Sequence, residues 1–122
     1  MPLQQRMVVA GLSAGAARAI QGTVASGLTA AGSTQATALA LGADTNDFTT
    51  VGSGTGAILP PMSAGDEVFV FNGGANALLV YPPVGGTINA LAANAGYSIA
   101  TATPSCFVIC INATTFRACQ SA

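Results

Sequence analysis

Between Leu59 and Leu91 the chain reads LPPMSAGDEVFVFNGGANALLVYPPVGGTINAL, two short apolar runs set off by turns. From Asp66 to Asn72, side-chain alternation along an extended strand puts Val68 and Val70 on one face and Phe69 and Phe71 on the other. A strand that is apolar on both faces has to be covered on both. The next run, Ala77 to Tyr81, repeats the arrangement with Leu78 and Val80 against Leu79 and Tyr81. Between them, Asn72-Gly73-Gly74-Ala75-Asn76 supplies residues that tolerate positive φ and predicts a hairpin. Pro82-Pro83 ends the second strand, because proline has no N–H to give to a ladder.

The same reading extends along the chain. Thr34 to Leu41 alternates, with Thr37, Leu39 and Leu41 together, and Gly42 to Asn46 reads as a turn. Short strands are then predicted at Phe48 to Val51, Ala57 to Leu59, Glu67 to Phe71, Leu78 to Tyr81, Thr87 to Leu91, Tyr97 to Ala100, Ser105 to Asn112 and Thr115 to Cys119. Turn signals every ~8–12 residues with short β-rich runs predict an all-β fold, an antiparallel β-sandwich or jelly-roll-like barrel. The many alanines do not argue for helix, since they are interleaved with Thr, Gly and Asn. Met1 to Gly32 is rich in Ala, Gly and Ser, and Gly11, Gly15, Gly22, Gly27 and Gly32 discourage a long helix. The expected organisation is an extended arm over residues 1–32, with one short strand or helical turn, and a β domain over residues 33–122. No internal repeat of convincing length is present.

Composition changes the picture in one respect. Of 122 residues only three are basic and four acidic, while 51% are hydrophobic. An ordinary domain carries about a quarter charged residues, so much of this surface is expected to be interface. The chain has no histidine and no lysine, and its net charge is −1. It lacks the basic footprint that displaces counterions, which argues against a nucleic-acid partner. No run reaches the ~18 apolar residues of a membrane span. The glycine-broken segment after Arg6 fits a cleaved secretory signal poorly.

Cys106 and Cys110 fall on one face of a predicted strand, about 13 Å apart along it and well beyond the ~5.5 Å that a disulfide prefers. Cys119 could reach one of them across a hairpin, but an odd thiol would remain. Free, mostly buried cysteines acting as small hydrophobes suit folding in a reducing cytoplasm.

Candidate chemistry is thin. Gly52-Ser53-Gly54-Thr55-Gly56 and Gly85-Gly86 lack the Gly-Lys-Ser/Thr of a phosphate loop and read as turns. Asp44, Asn46 and Asp47 could approach a calcium ion, but the later glycine and glutamate of an EF-hand loop are missing, and capping of a turn is the preferred role. Asp66-Glu67 has no partner for acid–base work and reads as a solvated strand start. A serine nucleophile fails for want of histidine and of a G-x-S-x-G elbow. Asn112-Ala113-Thr114 matches a glycosylation sequon by pattern alone. The chain is not expected to be an enzyme or to take a cofactor or metal.

Leu59-Pro60, Ala64-Gly65-Asp66, Asn72, Gly74-Ala75-Asn76-Ala77-Leu78, Val80-Tyr81-Pro82, Gly85-Gly86, Ile88-Asn89, Leu91 and Ala93-Asn94 together form one pattern. It resembles a recurrent pattern in small virion proteins of tailed bacteriophages, chiefly head decoration or cement proteins, with related modules in fibres. The resemblance covers about the C-terminal two-thirds of the chain and carries no catalytic residues. It implies a capsid cement protein, made in the bacterial host cytoplasm, that sits on the virion surface at joints between major capsid protein subunits. A homo-oligomer is expected, three subunits being favoured. Leu59, Tyr81, Pro82 and Pro83, at strand ends, are the expected contact residues. The alternative is a receptor- or glycan-binding module of a fibre or spike, though the chain has no Trp and only two Tyr.

Overall fold

The computed structural model describes residues 22–101 and 104–121, together with residues 11, 13 and 16. Most of the first part of the expected arm therefore lies outside the described residues. Ten strands follow in order: β1 (Val24–Thr29), β2 (Leu39–Ala40), β3 (Thr45–Thr50), β4 (Gly56–Ile58), β5 (Glu67–Asn72), β6 (Leu78–Tyr81), β7 (Thr87–Ile88), β8 (Tyr97–Ile99), β9 (Ser105–Asn112) and β10 (Thr115–Gln120). The fold is β-rich throughout the described residues. β1 belongs to the segment expected as an arm and is the edge strand of a sheet, so sheet structure begins at Val24.

Six strands form one sheet in the order β1-β3-β5-β9-β10-β7, and four form a second in the order β2-β4-β6-β8. From β1 to β6 the chain alternates between the sheets. Each strand lands beside the one two places earlier and runs parallel to it, so β1-β3, β3-β5, β2-β4 and β4-β6 are parallel pairs. β8 and β9 return antiparallel to β6 and β5, β10 pairs antiparallel with β9, and β7 lies parallel to β10. The expectation of antiparallel pairing is thus corrected to sheets of mixed orientation. The physical reason is that a turn signal marks where the chain bends but not which sheet receives the next strand.

The segment Asn72–Asn76 illustrates this. It does not close a hairpin but carries the chain from β5 in one sheet to β6 in the other. Asn72 is completely buried at this corner. Its Nδ2 group donates to the carbonyls of Asn76 (3.0 Å), Ile99 (3.1 Å) and Ala100 (3.0 Å), and its Oδ1 accepts the Gly74 amide (3.0 Å). Asn76 Nδ2 donates to the Val51 carbonyl at 2.9 Å, tying the corner to the end of β3. Gly74 is required by the close approach, since a Cβ there would stand 2.6 Å from both the Cβ and the backbone nitrogen of Val51.

One hydrophobic core takes side chains from both sheets, among them Phe48, Val68, Val70, Val108 and Phe116 from the first and Ala57, Leu78, Val80 and Ile99 from the second. β5 alternates strictly, with Val68, Val70 and Asn72 inward and Glu67, Phe69 and Phe71 outward. β9 does the same, directing Cys106, Val108 and Cys110 into the core. Of the strand expected over Thr34 to Leu41, only Leu39–Ala40 forms, and the turn Thr34–Thr37 occupies its start, closed by the Thr37 amide on the Thr34 carbonyl at 3.2 Å. Thr87 to Leu91 is likewise cut to two residues, because Asn89 adopts positive φ (54°) and its side chain takes over the pairing. Its Nδ2 donates to the Ala118 carbonyl (2.9 Å) and its Oδ1 accepts the Ala118 amide (3.0 Å).

Candidate functional site: the outward face of the six-stranded sheet

Cross-strand register assembles the site. In one row Thr45 of β3, Phe69 of β5, Phe107 of β9 and Cys119 of β10 stand side by side, continued on β1 by Val24. One row along are Asp47, Phe71 and Ser105, and one row the other way are Glu67, Ile109 and Arg117. Alternation sends all of these away from the core. The result is an apolar stripe along β5 and β9, formed by Phe69, Phe71, Phe107, Ile109 and Ile111. Asp47 lies to one side on β3, Glu67 at the start of β5, and the Arg117 guanidinium to the other side on β10.

The stripe is solvent-facing in this chain. Phe69 is 39% exposed, Phe71 37% and Ile111 47%, against 4% for Val68 and none for Val70 on the opposite face of the same sheet. The sequence expectation that β5 is covered on both faces therefore holds within the chain on the valine face only. Phe69 and Phe107 form a tilted aromatic pair, with centroids 5.1 Å apart and planes at 57°, which fixes the two rings relative to one another. Beside them Val24, Thr45, Asp47, Phe71 and Gly73 line a shallow groove of about 400 Å³.

The expected contact residues lie elsewhere. Leu59 (3% exposed) and Tyr81 (8%) are buried, Pro82 is fully buried, and Pro83 is half-buried. Leu59, Tyr81 and Pro82 are brought together inside the molecule, the Leu59 amide donating to the Tyr81 carbonyl at 2.9 Å. The segment after β1 covers these strand ends, with the Tyr81 hydroxyl donating to the Ser33 carbonyl (3.4 Å) and Gln35 Nε2 to the Pro82 carbonyl (2.7 Å). The apolar residues that the chain leaves outward include Phe107, Ile109 and Ile111, whose signal was the alternation of Ser105 to Asn112, and beside them on β10 stands Arg117.

Asp44, Asp66 and Glu67 line one open groove of about 320 Å³, but among the described residues no three acidic or cysteine side chains are close enough to hold a metal ion. Asn46 is buried on the core side of β3, while Asp47 points outward. The Asp44 carboxylate accepts the Thr23 amide (2.8 Å) and hydroxyl (3.1 Å), anchoring the start of β1. Asp66 and Glu67 are exposed where β5 begins, and the Asp66 carboxylate closes a turn by accepting the Ser63 amide at 2.9 Å.

Cysteine accessibility divides by face. Cys106 and Cys110 are buried, whereas Cys119 is exposed beside Phe107. Burial, with a smaller contribution from Cys119, pushes the Cys106 thiol from 9.0 up to about 12, and burial followed by Asp66 raises that of Cys110. In dilute solution near pH 8, alkylation counted by mass is expected to modify one thiol per folded chain and three after denaturation; a second thiol reacting equally fast in the folded chain would contradict this burial. The raised Cys106 pKa also gives stability a sign. The unfolded chain releases this proton first, so the contribution of the Cys106 thiol to stability is fully present below pH 9.0 and is lost as pH rises from there toward about 12.

No family model, curated protein or solved structure matches the chain.

Proposed function

We propose that this chain is a bacteriophage capsid cement or decoration protein. It is made in the host cytoplasm, carried on the virion surface, and binds both copies of itself and the joints between major capsid protein subunits. Its scaffold in this reading is a sandwich of the two sheets. Its activity is binding rather than catalysis, in keeping with a sequence that has neither histidine nor lysine. The observation that carries the proposal is the apolar outward stripe of the six-stranded sheet in a chain with so few charges. The virion-protein pattern of Leu59 to Asn94 supplies the direction.

A cement protein needs surface for its own copies and surface for the lattice. Besides the stripe, this chain exposes Val84 (83%) and Leu91 (40%) on the loops flanking β7, three strands away from β5. Apolar area removed from water contributes roughly 25 cal/mol per Å², so even a modest patch adds stability at each joint. Repetition over a lattice and linkage within an oligomer multiply that gain through effective concentration.

The test is imaging and heating of cognate virions with and without the protein. Density at joints between capsid subunits and a higher head-disruption temperature in its presence are expected. Density on a tail fibre or spike would instead establish the receptor-binding alternative, and no particle density at all would end both.

A further inference from the structure

We infer that the outward face of the six-stranded sheet is the self-association face, and that its occupant is a second copy of this chain related by a two-fold axis running along β9. The inference rests on the assembly reading above and names the partner of that face.

The register carries the geometry. Glu67, Ile109 and Arg117 share one row across β5, β9 and β10, and Phe69, Phe107 and Cys119 share the next. Within one chain Glu67 and Arg117 are two strands apart, roughly 9.6 Å, with Ile109 between them. A rotation of 180° about a line parallel to β9 keeps each row in place and exchanges β5 with β10. Arg117 of each copy then stands over Glu67 of the other, twice per dimer. Phe107 and Ile109 meet their own counterparts on the axis, and Phe69 meets the small Cys119 side chain. Like charges do not oppose one another in this arrangement, and each aromatic ring faces an apolar or small group.

With the axis on β9, the three strands β5, β9 and β10 face their counterparts, a central footprint of roughly 14 Å by 20 Å per copy. Strands in parallel ladders are ordinarily covered on both faces, and β5, parallel to β3, has the two-sided apolar sequence that goes with such cover. A face that binds its own copy about a two-fold axis makes an isologous, closed dimer. The state inferred is therefore two-fold, in place of the three subunits expected from sequence.

The test uses the full chain and charge exchange at two exposed positions. Sedimentation equilibrium of the unaltered protein at micromolar concentration is expected to give a dimer. Arg117→Glu and Glu67→Arg are each expected to weaken it at least about tenfold, and the double variant to restore it to within about threefold, the pattern of directly opposed charges. Alkylation of Cys119 is expected to slow as protein concentration rises through the dissociation constant, a readout independent of the variants. A monomer, a trimer, or single reversals that leave association unchanged would overturn the inference, as would a double variant no better than the singles. A dimer that fails to bind virion heads counts against the proposed function alone, and a monomer that binds heads counts against this inference alone.

Discussion

Replacing Asn72 with leucine is expected to lower the unfolding free energy by about 3–5 kcal/mol, most of the stability of a typical small domain. Leucine has nearly the same shape but offers no hydrogen bond. Asn72 is completely buried and satisfies three carbonyls and the Gly74 amide at once. Removing one partner of a buried pair leaves the other desolvated at a cost of about 1–3 kcal/mol each, partly relieved where water reaches the loop carbonyls. The groups left behind are the ones that turn the chain from β5 in one sheet to β6 in the other, so the loss falls on the connection between the sheets. Urea unfolding followed by circular dichroism measures it. A shift of less than about 1 kcal/mol would mean that the corner is held by packing, with the Asn72 network contributing little.

That corner also explains what the sequence could and could not convey. The asparagines between Asn72 and Asn94 are internal fasteners. Asn72 and Asn76 hold the corner, and Asn89 extends the β10 ladder. Asn94, at φ 66°, accepts the Gly85 amide at 2.6 Å and Gln35 Nε2 at 3.2 Å. The resemblance therefore rests on residues that shape the fold rather than on surface that meets a partner. Strand positions were legible wherever alternation was strong, and Ser105–Asn112 and Leu78–Tyr81 occur at the predicted bounds. Sheet membership was not, because a turn of Gly and Asn looks the same whether it reverses a chain within a sheet or passes it to the facing one. Leu59, Tyr81 and Pro82 were misplaced for a related reason: the end of a strand is surface only if no other segment crosses it, and Ser33 and Gln35 do. The candidate face was half legible, since alternation over Glu67 to Asn72 gave its β5 residues, whereas the pairing with β9 and β10 that completes it is long-range.

The two faces of the six-stranded sheet should respond differently to the same truncation. Phe116 of β10 is completely buried in the shared core, and its ring stands so close to Gly86 that a Cβ there would be 3.0 Å from it. Phe116→Ala removes a large buried ring and leaves a cavity that a mixed sheet, pinned by its ladders, cannot collapse to fill. A loss of about 3–5 kcal/mol in the unfolding free energy is expected, independent of protein concentration. Phe69→Ala on the outward face removes a ring already 39% exposed, together with its pairing to Phe107. In dilute solution it is expected to cost only about 1–1.5 kcal/mol, the contribution of an aromatic pair with modest burial. Its larger effect belongs to association, because in the two-fold arrangement Phe69 is covered by the second copy. Unfolding measured at low and high protein concentration separates these terms: the Phe116 loss stays constant, while the Phe69 loss grows as the unaltered protein becomes dimeric. Equal losses at Phe116 and Phe69 in the dilute chain would show that the outward stripe is core to the single molecule, and a Phe69 loss that never changes with concentration would show that no copy covers it.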